Sequence, residues 1–310
     1  MKRKMAGVLG ASSAVVAIIL ATPAFAQDAS GDAGGRNDEI VVTAQKREQS
    51  LQDVSGSIAA VSGADIAETG KDSFADYVNS VPGLSIASQG PGLSTIALRG
   101  VTTGGVRNDE PQNKETVGVY IDETPVSVNG FNPDLGLYDI ARIEVLRGPQ
   151  GTLYGSGSMG GTIRIITNKP DFSDTEGSAE GTLSFTRKGG TNYGVKAMVN
   201  VPLVTDTFAL RAIGYHSKTS GYIDNDLTGE ENVNDARTSG ARVQLGAKLG
   251  ESVGLNLTYM YHELETGGRP DQNSAYKRLA RTFDGLDDRL HIVNGTFDVD
   301  LGGATLTSST

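Results

Sequence analysis

Arg142, Glu144, Arg147 and Arg164 have types and spacing that call for chemistry. Glu144, Arg147 and Arg164 stand in runs of Ile, Val and Leu, where an ionised side chain needs a partner to offset its desolvation. Arg99, followed by Gly100, is a further isolated cation beside an apolar run. The chemistry these residues offer is ion pairing, and the plainer alternative is solvated surface charge. Gly155-Ser-Gly-Ser-Met-Gly160 spells a dinucleotide-binding turn, but that turn must open a helix whose N-terminus meets the pyrophosphate. Residues 162–167 are a β-rich run instead, so Gly148, Gly151, Gly155, Gly160 and Gly161 read as a tight turn that uses glycine's freedom at positive φ. Asp224, Asp226, Gly229 and Asp235 have the outline of a calcium loop without its flanking helices, which makes the stretch an acidic loop. His216, His262 and His291 are too scattered for a metal site. No nucleophile elbow, metalloprotease helix or phosphate-binding loop occurs, so the chain offers no catalytic constellation, no cofactor and no metal centre.

Charge and composition narrow the classes further. The 27 basic and 37 acidic residues leave the chain at −10, and more negative without Lys2, Arg3 and Lys4. That balance opposes nucleic-acid binding, which needs a basic surface. There is no cysteine, hence no disulfide, thiolate metal site or lipid-modified cysteine at a mature terminus. Residues 1–26 read as a cleaved secretory signal. Three basic residues precede an apolar core of about 16 residues, short of the roughly 20 a spanning helix needs. Ala24-Phe25-Ala26 then provides a small-x-small cleavage site. No later run is long enough for a transmembrane helix, but strands could still cross a membrane, with a much weaker signal.

The elements that must hold these residues fall into two regions. Residues 27–47 are expected to be disordered, with one β-prone run at Asp38, Glu39, Ile40, Val41, Val42, Thr43 and Ala44. Residues 48–170 read as a compact α+β unit. Strands are predicted over 57–61, 95–99, 117–122, 142–146 and 162–167, with short helices over 64–69 and 73–80. Pro82 stops the second helix. From residue 177 to 310 the pattern is strict alternation, as in Val253, Leu255, Leu257, Tyr259 and Tyr261 against Gly254, Asn256, Thr258, Met260 and His262. Period two puts one set on each face of a sheet. A soluble sandwich with a wet face would alternate in the same way. The connections favour a membrane barrel: after a turn near Gly189-Gly190, tight turns at 204–206 and 250–252 alternate with long loops at 219–236 and 265–288. About six strands result, with a seventh begun at 304–310.

The stretch from Ala141 to Thr167 closely resembles the plug signature of TonB-dependent outer-membrane receptors. Asp38–Ala44 resembles their TonB box, a segment that adds a strand to the periplasmic TonB protein. Two departures are mild: Ser156-Gly157 replaces an alanine-serine pair, and no proline follows Val54. The resemblance implies an α+β plug domain inside an antiparallel transmembrane β-barrel of about 22 strands, so the seven strands here would be the front of a longer receptor. It also implies that Arg99, Arg142, Glu144, Arg147 and Arg164 form a charged plug network, pairing with each other and with acidic residues on the barrel wall. The implied partners are TonB, outer-membrane lipid and a small ligand such as an iron–siderophore complex. The implied activity is TonB-powered, ligand-gated import at the outer membrane. A soluble periplasmic β-rich domain, an ungated porin and a non-transporting receptor remnant are the competing readings.

Overall fold

The computed structural model describes residues 40–68, 81–88, 90–92, 94–102, 116–127, 135–155 and 157–310. The expected signal peptide with Ala24 and Ala26, Asp38 and Glu39 of the expected TonB box, and the helix expected over 73–80 lie outside the described residues. The chain enters as Val41–Val42 (β1), paired antiparallel with Gln49–Ser50 (β2). Residues 40–47, expected to be disordered, are therefore seated: Val42 and Ala44 are fully buried. Ile58–Ser62 (β3) leads into Gly63–Glu68 (α1), whose start is capped by the Ser62 hydroxyl accepting from the Asp65 amide at 3.1 Å. Leu84–Ser88 (β4) and Ser94–Leu98 (β5) form a hairpin whose first strand the alternation did not reveal.

Val117–Ile121 (β6), Thr124–Pro125 (β7), Ile140–Arg147 (β8) and Gly161–Thr167 (β9) complete the first unit. Its five-stranded sheet runs β3-β8-β9-β6-β7, with β6 and β9 parallel and the other pairs antiparallel. Every residue of β9 is buried, which explains its run of Ile and Thr and makes Arg164 in its centre conspicuous. Ile143, Val145, Ile163, Val117 and Leu98 form the heart of the core. Between β8 and β9 the chain makes one helical turn, Gly151–Tyr154 (α2). The glycine pattern thus follows a helix rather than opening one, which removes the geometry a dinucleotide would need. Gly155 and Gly157 take positive φ there, at 67° and 99°. Gly161 is required by crowding, since a Cβ would sit 2.2 Å from Leu98 Cδ2 and 2.4 Å from the Leu146 carbonyl oxygen.

The second unit is one antiparallel meander. Its long strands are Glu176–Phe185 (β10), Thr191–Val204 (β11), Phe208–Thr219 (β12) and, after the short Asp224–Asn225 (β13), Ala236–Lys248 (β14). Val253–Thr266 (β15), the short Lys277–Arg278 (β16), Asp287–Asp300 (β17) and Thr305–Ser309 (β18) follow. The sheet order is β10-β11-β12-β14-β15-β17-β18, so seven strands pair in sequence and the sheet stays open at β10 and β18. Turns at 205–207, 249–252 and 301–304 lie at one end. Connections 220–235 and 267–286 lie at the other, where β13 and β16 tie them together as a small parallel pair.

Burial in this sheet is inverted relative to a soluble protein. Asn200, Arg211, Arg242, Gln244, Thr258 and His262 are buried, and they face the first unit. Val195, Val199, Val243, Leu257, Tyr259, Val293 and Phe297 point away and are 40–78% exposed. Cross-strand register stacks the outward residues into rows, such as Val199, Ala212, Val243, Tyr259 and Val293. Met260 on the inner face joins the first unit's core with Leu290 and Ile292 packed beside it, and Ile213 and Leu264 are buried on the same face.

Candidate functional site

Glu144 is fully buried in β8, and everything around it serves its charge. One carboxylate oxygen accepts from the Thr43 amide and from Arg142 Nε, both at 2.8 Å. The other accepts from an Arg164 terminal nitrogen at 2.8 Å. The register of β8 on β9 places Glu144 directly opposite Arg164, which is what makes the pair inevitable once the sheet forms. Arg164, 1% exposed, also donates to Glu123 at 2.8 Å and to the Thr43 hydroxyl at 2.9 Å. Arg142 donates to that same hydroxyl at 3.0 Å. Lys46 closes the ring by pairing with Glu123. A buried pair of this kind offsets its desolvation only when most of the remaining lone pairs and protons are satisfied. The seated N-terminal segment supplies the Thr43 amide and hydroxyl, while Arg164 Nε is left without a partner.

Tyr154 of α2 grips the same segment from another side. Its hydroxyl donates to the Ala44 carbonyl at 2.7 Å, and its ring lies 4.6 Å from Lys46 Nζ and 5.6 Å from the Arg164 guanidinium carbon. Tyr120 packs edge-on at 5.3 Å and donates its hydroxyl to the Tyr154 carbonyl. Burial pushes the Tyr154 hydroxyl up to about 12, with the Arg164 charge pulling weakly the other way. The hydroxyl is a donor throughout the physiological range.

Arg142, Glu144 and Arg164 thus converge, whereas Arg99 and Arg147 do not join them. Those two reach the Ser57 hydroxyl instead, at 2.9 and 3.4 Å, on the exposed side of β3. Among the described residues, the expected pairing of plug cations with acidic barrel residues is reversed in sign. The plug contributes the acid, Asp139, and the barrel contributes Arg211 and Arg242. Arg211 forks onto both Asp139 oxygens at 2.8 and 2.6 Å, and Arg242 reaches the Asp139 carboxylate at 3.0 Å and its carbonyl at 2.6 Å. Burial pushes the Asp139 carboxyl up, but hydrogen bonds from Arg211 and Asn168 and the nearby Arg242 charge outweigh it and hold its pKa below the usual value. Gln244 adds a bond from the barrel to Thr167 at 3.1 Å. Asp139 was missed from sequence because it lies outside the signature stretch. The signal was Arg211 and Arg242, each an arginine on the polar face of an alternating strand.

The acidic loop holds a lysine rather than a vacant cation cage: Lys277 Nζ lies 2.8 Å from Asp226 and 3.4 Å from Asp224. The three histidines stay apart, His262 on Tyr215 inside the sheet, and His216 and His291 on its outer face. Among the described residues, Glu263, Glu265 and Asp287 are the group that brings three carboxylates within 4.8 Å of one another. Arg289 already pairs with Glu263 and Asp287.

An α+β unit packed on the polar face of an outwardly apolar antiparallel sheet is the architecture of a plugged membrane β-barrel, here with the barrel unclosed. Residues 50–162 match the TonB-dependent Receptor Plug Domain. The pesticin receptor of Yersinia pestis is 31% identical over 211 residues, covering 66% of this chain and 29% of that protein. The vitamin B12 transporter BtuB of Photobacterium profundum is 27% identical over 272 residues, covering 85% of this chain and 40% of that one. Among solved structures, the ferric yersiniabactin uptake receptor FyuA from Yersinia pestis superposes with a TM-score of 0.64 at 24% identity, over 80% of this chain and 39% of that one. Residues 50–162 are thus a plug domain of the TonB-dependent receptor family, and the strands that follow resemble the first strands of such receptors' barrels. The chain spans 29% of the length of the pesticin receptor and 40% of that of the B12 transporter.

Proposed function

We propose that this chain is the N-terminal part of an outer-membrane receptor that imports a scarce nutrient, with TonB drawing on Asp38–Ala44 to open the plug. The observation that carries the membrane reading is the inverted burial of the seven-stranded sheet. A face bearing Val195, Val243, Leu257, Val293 and Phe297 in the open needs hydrocarbon around it, and the polar face needs a plug. A soluble sandwich would bury the apolar set and wet the polar one, so it is disfavoured. No helix of the described residues is long and apolar enough to cross a membrane, which leaves strands as the means. An ungated porin would have no use for a segment clasped by the plug's buried charges.

In this mechanism the box is the handle and the Glu144 hub is what the handle pulls on. Withdrawing Thr43 leaves Glu144 and Arg164 short of donors and acceptors, so force on the box is delivered to the centre of the plug sheet. The cargo proposed is an iron–siderophore complex, after structural neighbours named as a ferric yersiniabactin uptake receptor and a ferripyoverdine receptor. A corrin cargo is the second reading, after the B12 transporters. The test is uptake by cells expressing the receptor that contains this chain, with and without residues 38–44. Deletion should abolish energised uptake of a labelled ferric siderophore while leaving its surface binding intact. Unchanged uptake would overturn TonB coupling, and energised uptake of cobalamin in place of iron would move the cargo to the second reading.

A further inference from the structure

The box is held by two separate elements. The Glu144 hub on β8 holds Thr43, and Tyr154 on α2 holds Ala44 and Lys46. α2 is a single turn with no side-chain cap at its start, and it is followed by Gly155 and Gly157 at positive φ. It is therefore a short lever, uncapped and flanked by glycine, whose one buried side chain is Tyr154. Its ties to the rest of the plug include the Tyr120 hydroxyl on its last carbonyl, the bond from the Gln150 amide to the Ser158 carbonyl at 2.8 Å, and the packing of Tyr154 against Ala44 and Leu146.

We propose that Tyr154 is a positioning residue that latches the box, and that movement of the glycine-flanked turn carrying it sets how readily the box leaves the plug. The proposal rests on the box reading given above. The hydroxyl is the only part of Tyr154 that bonds the box backbone at Ala44, whereas the ring packs against Lys46, Arg164 and Tyr120. A displacement of α2 by a single hydrogen-bond length breaks the Ala44 contact and draws the ring from Lys46. It leaves β8 opposite β9 untouched. The plug thus has a way to loosen the box at Ala44 and Lys46 without opening its buried ion pair, leaving Thr43 as the remaining tie, and the glycines at 155 and 157 let the turn make that movement.

The chain contains no cysteine, so Val41→Cys, at an exposed position of β1, gives a single labelling site in it. A nitroxide there in the membrane-embedded receptor reports seated and free box populations. Tyr154→Phe keeps the ring and deletes the hydroxyl, and it should raise the free-to-seated ratio about five- to tenfold, the effect of one buried hydrogen bond. Affinity for the purified periplasmic domain of TonB should rise by a similar factor, because undocking no longer opposes binding. The unfolding midpoint of the plug should stay near that of the parent, which a merely structural role for Tyr154 would not allow. Lys46→Met, which loosens the same grip from the box side, should shift the ratio in the same direction and stands in should Tyr154→Phe fail to fold. Tyr120→Phe, which frees the lever but leaves the Ala44 bond, should have a smaller effect. Label mobility and TonB affinity identical to the parent in both Tyr154→Phe and Lys46→Met would overturn the latch. If mobility shifts but no variant or parent binds the TonB domain, the latch stands and the box assignment fails. If deleting 38–44 abolishes TonB binding while Tyr154→Phe changes neither readout, the box stands and the latch fails.

Discussion

The plug sheet and the barrel sheet both bury charged side chains, and they do so for opposite reasons. In the plug, Glu144 and Arg164 pair across β8 and β9, on the sheet face opposite the core residues Ile143, Val145 and Ile163. In the barrel, Arg211 and Arg242 are buried because their face is mostly polar and is covered by the first unit, whose Asp139 they meet. The plug charges depend on their own sheet, whereas the barrel charges depend on another unit's Asp139. Outside, the plug follows the rule for water and the barrel breaks it, with Val293 at 78% and Phe185 at 72% exposure. One chain thus folds against two solvents, and the seam between them is ionic and hydrogen-bonded, with Met260 as its apolar anchor.

The comparison breaks most severely at Glu144. Replacing it with Ala leaves Arg164 buried without its counter-ion, and urea unfolding should show a loss of about 3–5 kcal/mol confined to the plug. Replacing both Glu144 and Arg164 with apolar residues of similar size should recover most of that. No recovery would mean the pair does more than satisfy itself. At the seam, Asp139→Asn should cost about 3 kcal/mol for the same reason, read as protease sensitivity between plug and barrel with the plug core still folded. Acid tests the same contact. Because the folded pKa of Asp139 is depressed, its contribution is present above the ordinary carboxylate range, starts to fall below about pH 4 and is lost as pH drops through the folded value.

The outer face gives the next largest effect. Val243→Lys should destabilise the membrane-embedded sheet by about 2–4 kcal/mol if the position lies near mid-bilayer, measured by folding into lipid vesicles. A neutral result would mean that the face is wet and the two regions do not differ as described. Gly161→Ala should cost about 1–3 kcal/mol in the plug alone, because its Cβ would collide with Leu98 and the Leu146 carbonyl. The smallest effect is expected at Lys46→Ala, about 0.2–1 kcal/mol of stability, since its pair with Glu123 is partly exposed.

Much of this was legible in the chain because it depends on local pattern. Period-two alternation from residue 177, the short and long connections and the lone charges in apolar runs each follow from side-chain type and spacing, and the meander β10 to β18 matches them closely. The plug strands β3, β5, β6, β8 and β9 fell within a residue or two of expectation. β4 was not read because Leu84–Ser88 carries no clear alternation, and α2 was not read because Gly151–Tyr154 is a single turn inside a glycine-rich stretch.

What the chain could not say by itself was who meets whom across a distance. Thr43 and Glu144 are 101 residues apart, and Asp139 and Arg242 are 103 apart. Such contacts are set by sheet register and by how the plug seats on the barrel, and neither leaves a periodic trace. The seating of residues 41–46 is of this kind: a short β-prone run after a polar stretch reads as free, and only the packed plug supplies Glu144, Arg164 and Tyr154 to hold it. Sequence determined which residues were charged, apolar or flexible and therefore needed company or freedom. Tertiary structure chose the company, because burying a charge is tolerable only where a partner arrives at hydrogen-bond distance.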